Sequence, residues 1–362
     1  MRVGIAAAGS GGHVFPALAV ADALIGRGLA RDDVVFFGGD RMEAETVPAA
    51  GYPFVQVDMH GIRRSFSLEN LTLPLKIRKA TRIIADRIES ERIGVMVAFG
   101  GYVSGPAGLA ARRARVPLVI HEANAVPGLA NRLLAPMADS VYVAFAPATQ
   151  KLKMATVVGN PLRSSFDAFD RVRLMPEARE HYGIRRDATV LGIIGGSLGA
   201  ASLNEIAADI AAIPDRGFHI LHVAGEPHFG RVSAQAARFE DWTVVAFERE
   251  MEQLYAASDV VISRSGAMAV SELHATATPS ILVPLPAGKG YQGRNAEDLV
   301  KAGGGVVVAQ DHRTEIISTA IDLLTDEVKR KTMADTAVAS QHRGVAGTIA
   351  DHVLEVAIDN PR

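Results

Sequence analysis

The sequence predicts an α/β protein with two doubly wound parallel sheets, and three observations carry this prediction. Short, β-branched apolar runs recur along the chain and alternate with longer segments that suit helices. The runs are apolar at nearly every position, which is typical of parallel strands covered by helices on both faces. The chain has 362 residues, which is too long for one ordinary core and favours two domains.

The first predicted strand covers Val3 to Ala8 and runs into a glycine turn, so this apolar stretch is too short for a signal-peptide core. The strands VVFFGG, VMVAFGG, LVIHEA and SVYVAF follow in the first domain, and VLGIIGG, HILHVAGE, VVISRSG and ILVPLP in the second. The Asn-Pro of VVGNPLRSSF cannot continue regular structure, so the first domain is predicted to cover 1–163. The second covers 164–340, and TIADHVLEVAI in 341–362 is predicted to be a helix that returns to the first.

Composition narrows the class of protein. Apolar residues make up 48% of the chain and charged residues 22%, which describes a soluble globular protein, and no run is long enough to span a membrane. The absence of cysteine excludes disulfides and thiolate metal sites and fits the cytoplasm. Residues 1–163 contain 19 Lys and Arg against 13 Asp and Glu, and the remainder contains 19 against 27. The basic first half indicates an anionic surface or substrate there.

Three glycine loops follow predicted strands: GSGGH at 9–13, GGYVSG at 100–105 and GGSLG at 195–199. Glycine lets backbone amides approach a ligand beyond the carboxyl ends of parallel strands, and the next helix directs its N-terminus at an anion. Three such loops favour a ligand cleft between the two domains. A dinucleotide site is the rival interpretation, but Val14 stands where close packing of that fingerprint requires Gly or Ala.

The stretch VVISRSGAMAVSELHA predicts a nucleotide site. Amides at the start of its helix, at Ala267 and Met268, can bind a diphosphate, and Glu272 can accept hydrogen bonds from both ribose hydroxyls. The alternative is a solvated surface glutamate. The chain has no Asp-x-Asp pair to hold a metal, so we expect no metal or other cofactor and assign neutralisation of the diphosphate to Arg163 and Arg264.

Taken together, these motifs resemble the MurG family of peptidoglycan glycosyltransferases. The resemblance runs in order through GSGGHVFPALAVA, RMEAETVPAAGY, FGGYVSGPAGLAA, HEANAVPGLANRLLA, VVGNPLR, GGSLGA, RSGAMAVSEL and YQGRNA. It implies the glycosyltransferase-B fold, in which two Rossmann-like domains face each other across a cleft. It also implies transfer of N-acetylglucosamine (GlcNAc) from its UDP donor, UDP-GlcNAc, to lipid I, which makes lipid II for cell-wall growth and division.

The resemblance also implies which residues bind the donor. Sugar and diphosphate contacts fall on Ser10, Gly11, Gly12 and Asn124, and phosphate contacts on Arg163 and Ser197. Uracil is expected beside Phe247 and the backbone of Glu248. The remaining donor contacts are implied at Ala267, Met268, Ala269, Val270, Ser271, Glu272 and Gln292.

The reaction implied is a direct, inverting displacement at the anomeric carbon, which needs one general base. His13 is the candidate, because a neutral imidazole titrates near working pH and this one lies at a glycine loop. A purely structural role for His13 is the alternative, and Glu122 is the reserve base. Tyr102 and Ser104 are predicted to contact the acceptor.

Lipid I stays in the bilayer, so a peripheral position at the cytoplasmic face of the membrane is expected. The segment SLENLTLPLKIRKATRIIADRI combines apolar and basic residues, which suits an anionic headgroup layer. We predict membrane contact through Leu73, Leu75, Lys76, Arg78, Lys79 and Arg82, and we expect no nucleic-acid partner. A helix whose apolar side is plain core is the alternative.

Two other functions remain compatible with these motifs. One is a different enzyme of the same architecture, either a UDP-sugar 2-epimerase or a transferase with a soluble acceptor. The other is a non-catalytic UDP-sugar sensor at the membrane.

Overall fold

The computed structural model of the chain describes residues 1–59, 73–196, 198–286, 291–338 and 342–358. Its internal contacts divide it into two compact units, one of residues 1–164 with 344–362 and one of residues 165–343. Each unit contains one parallel sheet with helices on both faces. The predicted α/β class with two doubly wound sheets is therefore confirmed.

The first unit is built on seven strands, β1 (Arg2–Ala6), β2 (Val34–Gly38), β3 (Phe54–Gln56), β4 (Ile93–Ala98), β5 (Leu118–Glu122), β6 (Ser140–Val143) and β7 (Thr156–Val157). They are ordered β3-β2-β1-β4-β5-β6-β7, and every neighbouring pair is parallel. Its helices are α1 (Gly11–Ile25), α2 (Glu43–Ala49), α3 (Leu73–Ser90), α4 (Ser104–Ala114), α5 (Leu129–Leu134) and α16 (Val345–Ile358).

The two faces of this sheet form separate cores, because alternate strand residues point to opposite sides. Met96 and Ala98 of β4 pack in one cluster with residues of α3 and α4, whereas Val95 and Val97 pack in the other with residues of α1 and α16. Helix α16 contributes Ile349 and Val353, both fully buried. The C-terminal segment is therefore part of the first unit's core.

The second unit is built on six parallel strands, β8 (Val190–Ile194), β9 (His219–Val223), β10 (Trp242–Val245), β11 (Val260–Ser263), β12 (Ser280–Leu282) and β13 (Gly305–Val307). Their order is β10-β9-β8-β11-β12-β13. The helices from the junction onward are α6 (Ser164–Asp167), α7 (Arg171–His181), α8 (Ala201–Ala211), α9 (Phe229–Ala236), α10 (Met251–Ala257), α11 (Ala267–Thr276), α12 (Tyr291–Asn295), α13 (Glu297–Lys301), α14 (Arg313–Thr325) and α15 (Glu327–Val338). Short 3-10 helices occupy Arg31–Asp33, Ala135–Met137, Ala146–Gln150 and Glu226–His228.

Strand order decides where loops meet. In each sheet the order reverses at one point, between β1 and β4 in the first unit and between β8 and β11 in the second. Ligands of open parallel sheets bind beyond the carboxyl ends of the strands at such a reversal. The loops that follow these four strands are the three glycine loops and the Arg-Ser-Gly turn.

Candidate functional site

The loops after β1 and β4 lie in direct contact. Gly101 has a φ of +81°, and a Cβ added there would lie 2.1 Å from the carbonyl oxygen of Ala8. Only glycine fits this backbone conformation and this approach. The glycines at this reversal are therefore required by packing between the loops.

His13 lies in the first turn of α1, next to the loops after β1 and β4. Its Nδ1 is 3.2 Å from the hydroxyl of Ser10, and a Cβ on Gly100 would meet the imidazole Cδ2 at 2.9 Å. Burial lowers the pKa of His13, and it outweighs the opposing effects of the Glu122 carboxylate, the Ala8 carbonyl and the Glu43 carboxylate. The imidazole is therefore neutral near pH 7, which is the form that a general base requires.

Glu43 joins three loops, and the sequence motifs did not identify it. Its side chain is fully buried at the start of α2. One oxygen accepts from the amide of Gly9 at 3.2 Å, and the other accepts from the amide of Gly39 at 3.0 Å and from the Tyr102 hydroxyl at 2.9 Å. The carboxylate thus links the loops after β1, β2 and β4. The RMEAET motif contains this glutamate, but the motif alone does not reveal its partners.

Tyr102 and Ser104 are the two residues predicted to contact the acceptor substrate, and they differ in position. Burial, followed by the hydrogen bond to Glu43, raises the pKa of Tyr102, so its hydroxyl stays protonated and acts as a donor. Ser104 is fully buried, and its hydroxyl accepts from the Gly100 amide at 2.9 Å and donates to the Gly100 carbonyl at 2.7 Å. This geometry gives Ser104 a role in shaping the loop, and its contact with the acceptor stays a prediction.

Glu122, the reserve base, is also occupied by structural hydrogen bonds. One oxygen accepts from the backbone amide and side-chain amide of Asn124 at 2.9 and 3.2 Å. The other accepts from the amide of Gly128 at 3.0 Å and from Asn131 Nδ2 at 2.9 Å. These four hydrogen bonds brace the loop before α5, and the role of Glu122 as reserve base stays a prediction.

In the second unit, Arg264 follows β11 at the reversal and is 9% exposed. Its guanidinium donates to three neutral acceptors, the Val283 carbonyl at 3.2 Å, the Ser202 hydroxyl at 2.8 Å and Gln310 Oε1 at 2.7 Å. Burial lowers the pKa of this arginine. An anionic ligand would compensate the desolvated charge, as predicted for a diphosphate.

Helix α11 begins directly after Ser265 and Gly266. The Ser265 carbonyl accepts from Asn295 Nδ2 at 3.1 Å, which fixes the turn. The first-turn amides, at Ala267, Met268 and Ala269, have no acceptor inside an α-helix and lie at its positive end. This places a set of anion-binding donors next to Arg264.

Glu272 lies in the second turn of α11 and is half-buried. The hydroxyl of Tyr255, a fully buried residue of α10, donates to its Oε2 at 2.8 Å. Val270 is buried, and Ser271 is half-buried beside it. The predicted diphosphate and ribose residues thus share one short segment.

The remaining residues predicted to bind UDP-GlcNAc lie in several loops and at the starts of helices α1 and α12. Phe247 is exposed, and the Glu248 carboxylate accepts from the Tyr182 hydroxyl at 2.6 Å. Gln292 Oε1 accepts from the Leu285 amide at 2.9 Å. In the first unit, Ser10 and Arg163 are exposed, and Gly11 and Gly12 are half-buried. Ser197 lies outside the described residues.

The predicted membrane residues lie at the start of α3. Leu75 is 69% exposed, and Arg78, Lys79 and Arg82 are exposed around it. Lys76 is half-buried, and Leu73 packs partly against the core. Helix α4 packs against both α3 and α5. These neighbouring helices add further exposed residues, Leu109, Arg112, Arg113, Leu129, Arg132 and Leu133.

Within the described ranges, no helix is long and apolar enough to cross a membrane. The same residues contain no group of three or more histidine, aspartate or glutamate side chains that could hold a metal ion.

Comparisons with known proteins identify both units. Residues 3–143 match the glycosyltransferase family 28 N-terminal domain, and residues 190–349 match its C-terminal domain. A curated relative from Mycobacterium bovis is 41% identical in an alignment that covers 99% of this chain and 89% of the relative. Its name is UDP-N-acetylglucosamine--N-acetylmuramyl-(pentapeptide) pyrophosphoryl-undecaprenol N-acetylglucosamine transferase.

Solved structures give the same result for the fold. The crystal structure of MurG from Acinetobacter baumannii is similar with a TM-score of 0.77 and 28% identity, covering 98% of this chain and 99% of that one. A UDP-GlcNAc 2-epimerase from Neisseria meningitidis, bound to UDP-GlcNAc, has a TM-score of 0.67 at 11% identity and covers 99% of this chain and 100% of that one. The second likeness concerns the fold alone.

Proposed function

The chain belongs to glycosyltransferase family 28, and on that premise we propose that it transfers GlcNAc from UDP-GlcNAc to lipid I, making lipid II. The proposal rests on the segment that follows β11, where the strand order of the second sheet reverses. There the buried cation of Arg264, the first-turn amides of α11 and the Glu272 carboxylate follow one another within nine residues. This order matches a nucleoside diphosphate, because donors for phosphate are followed by an acceptor for ribose hydroxyls.

The chemistry proposed is a single displacement with inversion. The acceptor hydroxyl attacks the anomeric carbon, the bond from that carbon to the β-phosphate oxygen breaks, and UDP leaves with the electron pair. His13 takes the proton of the acceptor hydroxyl, because its pKa is lowered and its imidazole is neutral. The α11 amides and Arg264 stabilise the negative charge that develops on the diphosphate.

The function is tested by the release of UDP from UDP-GlcNAc with and without a lipid I analogue. We expect release to rise at least tenfold when the analogue is present, because an acceptor hydroxyl is the proposed nucleophile. Release that is indifferent to the acceptor, or conversion of the sugar without it, would identify an epimerase or hydrolase instead. A protein that binds UDP-GlcNAc without any turnover would be a sensor.

His13 generates a prediction about pH. Because its folded pKa is lowered from 6.5, the neutral form persists below that pH, and the acid limb of kcat/KM should lie below pH 6.5. Replacing His13→Asn should lower kcat by a factor on the order of 100 or more and remove that limb. The exposed His312, replaced as His312→Asn, serves as the control and should leave both unchanged. An unaltered acid limb in His13→Asn would reject this residue as the base.

We further propose that the first unit binds the cytoplasmic face of the membrane through the start of α3. An exposed leucine surrounded by exposed cations suits an interface in which apolar groups enter the headgroup boundary and cations meet anionic lipids. The exposed leucines of α4 and α5, Leu109, Leu129 and Leu133, extend the apolar surface available to the lipid.

This surface predicts salt-sensitive binding to vesicles that contain anionic lipid, because screening weakens attraction between the cations and the headgroups. Replacing Lys76, Arg78, Lys79 and Arg82 together by glutamine should weaken vesicle binding and slow transfer to a bilayer acceptor. Turnover of a soluble, short-chain acceptor should stay nearly unchanged.

A matched variant keeps the same change of charge but places it in the second unit, at the exposed residues Arg231, Arg238, Lys301 and Lys331. It should sediment with vesicles as the parent does. Equal sedimentation of both quadruple variants, measured in parallel, would show that α3 is ordinary protein surface.

A further inference from the structure

Tyr255 is a buried residue that the proposed reaction does not use directly. It lies in α10, is fully buried, and directs its hydroxyl to Glu272 Oε2 at 2.8 Å. The donor and acceptor belong to different helices, α10 and α11, so this hydrogen bond is a tertiary contact. It fixes one oxygen of the Glu272 carboxylate, which we propose binds the ribose hydroxyls.

The phenol ring of Tyr255 is packed in the interior of the second unit. Its neighbours Leu254, Ala256 and Ala257 are also fully buried. The ring packs at 6.3 Å and 56° against Phe166, and the backbone carbonyl of Tyr255 accepts from Arg171 Nη1 at 3.3 Å. A fully buried ring has little room to move, so its hydroxyl keeps the direction in which it meets Glu272 Oε2.

The hydroxyl of Tyr255 is a permanent donor. Burial, reinforced by the neighbouring Glu272 carboxylate, raises its pKa well above 10. A neutral phenol supplies one hydrogen, and the ionised carboxylate has lone pairs on two oxygens. The direction of the hydrogen bond is therefore the same throughout the physiological pH range.

We propose that Tyr255 is a positioning residue, which orients the Glu272 carboxylate toward the ribose hydroxyls of a uridine diphosphate. This inference rests on the proposed function and adds the device that prepares the site before the nucleotide arrives. A free glutamate side chain would lose rotamer freedom on binding, and the Tyr255 hydrogen bond removes that loss in advance. Nucleotide affinity, and with it the preference for ribose over deoxyribose, therefore depends on the hydroxyl of Tyr255.

The test measures the dissociation constants of UDP and 2′-deoxy-UDP by calorimetry for the full chain and for three variants, Tyr255→Phe, Glu272→Ala and the double variant. Tyr255→Phe keeps the ring and removes only the hydroxyl. We expect it to weaken UDP binding about tenfold, the loss typical of a hydrogen bond to a charged group. The preference for UDP over 2′-deoxy-UDP should fall toward that of Glu272→Ala. In the Glu272→Ala background the same change should alter affinity less than about twofold, because the two residues act through one contact.

A matched control is available in the first unit. Tyr52 is 3% exposed and donates to the Asp22 carboxylate at 2.5 Å, so Tyr52→Phe removes a similar hydrogen bond outside the nucleotide site. It should leave both dissociation constants unchanged. Transfer assays should show a raised KM for UDP-GlcNAc in Tyr255→Phe with kcat within about twofold of the parent, because the bond acts on binding.

The outcomes distinguish failure of the positioning role of Tyr255 from failure of the proposed nucleotide site. Weakened binding in Glu272→Ala with parental constants in Tyr255→Phe overturns the positioning role alone. An equal loss from Tyr255→Phe in both backgrounds also overturns it, because the effect would then come from the fold. Absence of UDP binding by the parent, or parental affinity in Glu272→Ala, overturns the proposed nucleotide site and this inference with it.

Discussion

The arrangement of the loops around His13 in the first unit depends on one interaction, the hydrogen bonding of the buried Glu43 carboxylate. The carboxylate accepts hydrogen bonds from the amides of Gly9 and Gly39 and from the Tyr102 hydroxyl, and so ties together the loops after three strands. A fully buried charge is costly unless donors surround it, and these three donors supply that compensation. The Gly9 amide belongs to the loop that leads into α1, and the first turn of α1 contains His13, the proposed base.

Much of this architecture could be predicted from the sequence. Continuous apolar strands and helical connections predicted two parallel sheets, and the glycine loops were located because each follows a strand. The order of strands could not be predicted, since it depends on pairing between distant segments. That order brings the loops after β1 and β4 together, and those after β8 and β11.

Several candidate site residues could be located from the sequence, but the contacts of their side chains could not. Glu272 and Arg264 were identified because a strand, a turn and a helix place them at the end of β11. Ser104 was located in the glycine loop after β4, but its hydrogen bonds to the Gly100 backbone could not be predicted from the sequence. Glu43 and Tyr255 were missed because each reads locally as an ordinary helical residue. Their functions depend on partners that only tertiary structure brings close.

The most direct test of this account is amide hydrogen exchange at Gly9 and Gly39 in Glu43→Gln. Glutamine has one acceptor oxygen where the carboxylate has two, and its amino group would face a donor. The account predicts exchange at least about tenfold faster at one or both amides, because a buried hydrogen bond is worth about 1.5 kcal/mol or more when the acceptor is charged. Parental exchange rates at both glycines would contradict the claim that this carboxylate holds the loops together.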